Sequence, residues 1–178
     1  MSSFSTNPFL EAWSGPHALP PFSAIKTEHF KPAFLIAMPE QMAELQAIVS
    51  NPSPPDFENT IAAFDRSGQL FWKVQGLFDN LCSSDSPPEL QAVELELASP
   101  LETHKNAKYM LSGLFERIDL VHQNRLNSNL TNEQVILVEK IHLDFVRNGA
   151  RFDSAAKARY SQITEKLAEL QIRFSQVH

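Results

Sequence analysis

Residues 144–178, DFVRNGARFDSAAKARYSQITEKLAELQIRFSQVH, place apolar or aromatic side chains at Ala156, Tyr160, Ile163, Leu167, Leu170, Phe174 and Val177. That 4-3-4-3 spacing lays one continuous stripe along a helix, and such a stripe needs a partner surface. Between these positions lie Lys157, Arg159, Gln162, Glu165, Lys166, Glu169 and Arg173. They solvate the other faces and set Glu165, Glu169 and Arg173 one turn apart. Upstream, Asn148 and Gly149 form a helix stop, and Asp153 or Ser154 supplies the next N-cap. The last two helices are therefore expected to form an antiparallel hairpin joined by a short turn. The pattern runs to Val177 without a Gly or Asn cap, so the stretch is expected to be a segment of a longer protein, the alternative being a natural C-terminal helix that frays at its tip.

The remainder of the chain points to the same fold class. A sequence of 178 residues is the size of one domain, able to bury on the order of 70% of its unfolded surface. Hydrophobic residues make up 43%, charged residues 20%, and there are only five glycines, which favours a helical protein over a loop-rich β fold. A net charge of −6 with scattered Lys and Arg argues against nucleic acid as a partner. No apolar run approaches the roughly 18 residues of a membrane span. The N-terminus lacks the features of a signal or transit peptide. The lone Cys82 cannot close an internal disulfide and reads as an apolar filler. The expected location is the cytoplasm.

Residues 1–26 carry Pro8, Pro16, Pro20 and Pro21 among the aromatics Phe9, Trp13 and Phe22, which reads as an extended arm anchored by its rings. Residues 27–178 read as an all-α, antiparallel bundle of about five to six helices. The first, over 27–50, has Phe30, Phe34, Met38, Met42, Leu45 and Val49 on one side, and Pro39 predicts a kink near Ala37 or a division into two helices. NPSPP at 51–55 breaks the chain. Asp56 then caps a second helix to about Ser83, with Phe57, Ile61, Phe64, Phe71 and Phe78 in one phase and Gly68 permitting close helix approach. Ser86, Pro87 and Glu89 read as the cap, first turn and third position of another helix, kinked by Pro100. Leu114, Ile118 and Val121 face inward from a shorter helix over 112–124, and Thr131 with Gln134 forms a capping box for the next.

No catalytic, cofactor-binding or metal site is assigned from the residues. The histidines, His17, His29, His104, His122, His142 and His178, include no two at the four-residue spacing of a zinc-binding His-Glu-x-x-His helix. Glu139 with His142, and Asp119 with His122, are carboxylate–histidine pairs three residues apart. Such pairs serve di-iron bundles, but those also need inward Glu residues from other helices, where this chain places Phe, Leu and Ile. Half-buried or surface histidines are the simpler reading.

Four phrases occur in order: NPF near the start, LPPFSAIKTEHFKPAF at 19–34, NPSPPDFENTIAAFDRSGQL at 51–70, and LDFVRNGARFDSAAKARYSQITEKLAELQIRFSQ at 143–176. Together they resemble the N-terminal region of the thimet oligopeptidase family of zinc metallopeptidases, oligopeptidase A and the peptidyl-dipeptidases in particular. The resemblance implies a much longer, helical, two-lobed parent enzyme. Its zinc, held by a His-Glu-x-x-His helix and a downstream Glu, would lie in a C-terminal catalytic portion absent from these residues. No site residue is carried over, and His29, Glu139 and His142 do not fill the gap. The chain is then expected to be a non-catalytic helical part of the wall of a channel for short peptides, with the missing catalytic portion as its partner. The alternative is a free-standing interaction module. On either reading its exposed apolar surface predicts a homo-oligomer of the isolated chain.

Overall fold

The computed structural model describes residues 7–14, 17, 19–84 and 86–175, so Pro16, Val177 and His178 lie outside the described residues. The described residues are all helix, turn and irregular chain, with no strand. The arm is anchored by a 3₁₀ turn, Pro8–Leu10, capped by the Asn7 side chain, which accepts from the Phe9 amide. Phe9 is fully buried and meets Phe30 at a ring separation of 5.1 Å. Burying such a ring contributes about 1.5–3 kcal/mol. Lys73 fastens the arm by donating to the carbonyls of Phe9 and Glu11 while its ammonium lies 4.3 Å from the Trp13 ring centroid. Phe22, expected as an anchor, is instead exposed.

Helix α1 (Phe30–Val49) runs unbroken through Pro39, so it is one helix and not two. Pro39 removes the donor for the Leu35 carbonyl, but both residues are exposed, and water can satisfy that oxygen. After the Pro-rich break, Asp56 and Asn59 cap each other across a π-helical turn, Phe57–Ala62, that continues into the short α2 (Ala63–Arg66). The predicted single helix over 56–83 then divides. Ser67 is extended and Gly68 has φ +73°, and α3 (Gln69–Ser84) starts afresh. Side chains from α1 account for this break. The Glu44 carboxylate accepts from the Gly68 amide at 2.6 Å, and the Gln41 side chain fills the space a Cβ on residue 68 would occupy. Gly68 therefore provides a left-handed turn and room for Gln41, instead of close approach within a continuous helix.

Helix α4 (Pro88–Tyr109) starts with Pro87 in the cap position and runs through the exposed Pro100. Ser86 does not cap it. Its hydroxyl is buried without a hydrogen-bond partner, because the two prolines displace the helix start by a residue. Helix α5 (Leu114–Asn124) buries Leu114, Ile118 and Val121, as its spacing predicts. Helix α6 (Asn132–Arg147) begins with the reciprocal Thr131–Gln134 box and ends before Gly149 at φ +83°. Helix α7 (Ser154–Ser175) follows, with the Asp153 carboxylate accepting from the Ala156 amide.

Two cores result. In the first, α1 and α3 run antiparallel, with Phe30 against Phe78 and Phe34 against Phe71, and α4 adds Leu90 and Leu97. In the second, Leu45 and Ile48 of α1 meet Ile61, α5, and the α6 residues Val138, Ile141 and Phe145. Gln41 and His104 lie between them, joined at 2.7 Å and both buried.

The expected hairpin of the last two helices does not form. Helix α7 lies antiparallel along α4, with Asn106 donating to Thr164 Oγ1 and the Ser161 hydroxyl against the Met110 sulfur. The inner residues of α6 are already taken by α5 and the π turn. The face that α7 sets against α4 includes the half-buried Ser161, Thr164, Ala168 and Ile172. Consequently α7 buries no residue among those described, and Ile163, Leu167 and Leu170 of the apolar stripe are each about half exposed.

Candidate functional site

Asp119 and His122 are one turn apart on α5, and the antiparallel packing of α5 on α6 sets His142 opposite them. His142 Nε2 lies 2.9 Å from Asp119 Oδ1, and the His142 ring stacks on Phe115 at 5.5 Å. The His122 and His142 rings stack almost parallel, 6° apart with centroids 3.8 Å from one another. One ligand atom from each of Asp119, His122 and His142 lies within 4.8 Å of the other two. Two imidazolium ions would repel at this separation. His122 is held below the ordinary histidine range by burial first, then by His142 and Arg125, against the opposing pull of Asp119 and Glu139.

Glu139, the partner suggested for His142 by sequence spacing, is turned away. Arg125 Nε donates to its carboxylate at 2.8 Å, and Arg125 Nη1 donates to the His122 carbonyl. Arg151 Nη2 stands 3.9 Å from Asp119 Oδ1 and is largely exposed. The two carboxylate–histidine pairs of the sequence thus become one three-residue cluster and one separate ion pair. A pairing of α5 with α6 was the signal needed to see it, since neither pair is informative alone.

The other histidines are dispersed. His29 Nδ1 accepts from the Lys26 amide at a helix start, His104 hydrogen-bonds Gln41, and His17 is exposed. Cys82 is half-buried, its thiol pushed up to about 12 by burial first, then by Glu94 and Asp79, so it is a poor nucleophile at neutral pH. The described residues do not fit the zinc set of a His-Glu-x-x-His peptidase. The His-His-carboxylate cluster of Asp119, His122 and His142 differs from that set in its residues and spacing, and the nearby Glu139 is paired with Arg125.

A groove of about 400 Å³ opens between α3, α4 and α7, lined by Phe71, Trp72, Phe78, Leu101, Lys108 and Ile172. Lys108 is buried, with its ammonium 4.6 Å from the Tyr109 ring centroid and 5.2 Å from that of Trp72. Its pKa is lowered to about 8, chiefly by burial and then by Lys105. Sequence periodicity gave no signal for this residue, because α4 is covered on more than one side and Lys108 is buried where a surface lysine would be expected.

The chain is 36% identical to a dipeptidyl carboxypeptidase of Escherichia coli over 170 residues, 96% of this chain and 25% of that protein. It is 26% identical to oligopeptidase A of Salmonella typhimurium over 170 residues, 24% of that protein. A thimet-like oligopeptidase of Dictyostelium discoideum is 25% identical over 122 residues, 67% of this chain. No family model matches. The chain spans about a quarter of the length of the curated relatives it matches over nearly all of its own. Among the described residues, no helix is long and apolar enough to cross a membrane.

Proposed function

Since the chain belongs to the family of dipeptidyl carboxypeptidase and oligopeptidase A, we propose that it is the N-terminal helical part of such a peptidase, forming a wall of the channel that admits short peptides. The match across 96% of the chain but only 25% of the relative carries this reading. The half-exposed Ile163, Leu167 and Leu170 support it, as a surface for the rest of the polypeptide to cover. On this reading the zinc and the catalytic residues lie in the remaining portion, the substrates are short peptides, the compartment is the cytoplasm, and this segment contributes shape and access. The purified chain is expected to show no cleavage of a quenched short peptide, with or without added zinc. Zinc-dependent cleavage by the chain alone would overturn the proposal.

The same exposed face also favours a second reading, a free-standing helical module that binds a protein partner or itself. An open reading frame that continues past His178 into a His-Glu-x-x-His sequence supports the peptidase, and one that stops there supports the module.

A further inference from the structure

We propose that Asp119, His122 and His142 form a divalent transition-metal site that clamps α5 to α6. Two imidazoles and one carboxylate are a borderline donor set, suited to Zn²⁺, Co²⁺, Ni²⁺ or Cu²⁺ and unsuited to Mg²⁺ or Ca²⁺, which prefer oxygen ligands throughout. Metal–ligand bonds of about 2.0–2.1 Å put ligand atoms of a tetrahedral site about 3.4 Å apart. Here the Asp119–His142 pair stands at 2.9 Å and no separation in the cluster exceeds 4.8 Å. The His122 and His142 rings stack 6° apart, so at least one must turn out of the stack before both lone pairs converge on one ion, and the half-exposed His122 is the ring with room to do so.

The surroundings position the cluster. His142 is buried and braced by the Phe115 ring, Asp119 and His122 share a helical turn, and Arg125 pins the end of α5 through the His122 carbonyl. Arg125 is itself engaged by Glu139, and the 60% exposed Arg151, 3.9 Å from Asp119 and 5.9 Å from the Phe115 ring centroid, would have to move away from Asp119 as a metal cation enters. Three protein ligands leave a fourth position for water. Glu139 is paired with Arg125, and the role of the site is to fasten two helices of the second core.

Zn²⁺ titrated into the 178-residue chain in competition with a chromophoric chelator is expected to bind one to one, and to raise the melting temperature. His122→Ala removes a half-exposed ligand and is expected to weaken binding at least about tenfold, as is Asp119→Asn, which keeps a hydrogen-bond acceptor for His142. Both variants should keep the metal-free melting temperature close to that of the unaltered chain, and imidazole NMR signals of His122 and His142 should shift with Zn²⁺. The proposal is overturned if the unaltered chain does not bind Zn²⁺, if neither substitution weakens binding, or if the shifts fall on His17, His29 or His178 instead.

Discussion

Gly68 shows how one residue decides the course of the backbone. Its φ of +73° and the Gln41 amide packed into its missing side chain leave no room for a Cβ. Gly68→Ala is expected to destabilise the chain by at least about 1–2 kcal/mol from the left-handed backbone alone, with a further cost from displacing Gln41, and urea denaturation measures the sum. The sequence showed a glycine at 68 but not its role. Phe57, Ile61, Phe64, Phe71 and Phe78 fit one helical phase as well as two, and the choice is made by Glu44 and Gln41, more than twenty residues away. Thr131 with Gln134 and Gly149 were legible because their effects act within a few residues. Asp119, His122 and His142 belong with Gly68. Their chemistry was visible in the sequence, but their proximity depends on how two helices pack.

The elements were legible where one side of a helix alone is buried and obscure where more than one side is. Helix α5 buries the three residues its spacing selects. Helix α4 does not separate polar from apolar positions in this way. His104, Asn106 and Lys108 are buried alongside Leu90, Leu97 and Ala98, because α1 and α3 cover part of it and α7 another. For α7 the stripe was read correctly as apolar, but contact with α4 runs through Ser161, Thr164, Ala168 and Ile172 instead. The stripe is then the surface through which the isolated chain is proposed to self-associate. Leu167→Glu with Leu170→Glu is expected to shift the chain towards monomer in light scattering. Each site is about half exposed, so the stability of the monomer should change by no more than about 0.5 kcal/mol per site.

At the scale of the molecule, two apolar cores meet at a polar seam. His104 occupies that seam, hydrogen-bonded to Gln41, with its pKa lowered to about 4 by burial first and then by Lys108. The unfolded chain titrates this residue near 6.5, so between those values it binds a proton that the folded chain excludes. His104 therefore costs no stability above about pH 6.5 and makes the fold progressively less stable as pH falls towards about 4. Urea midpoints measured across this interval are expected to decline with acidification, and His104→Asn should flatten that part of the decline. The seam also bears on how the chain can be divided. Helix α1 gives Phe30, Phe34 and Ala37 to one core and Leu45 and Ile48 to the other. Residues 57–64 then serve the second core, α3 and α4 the first, and α5 and α6 the second again. Because the contributions alternate along the chain, no single scission yields two fragments that each retain a whole core, and the two cores are expected to be lost together when the backbone is cut.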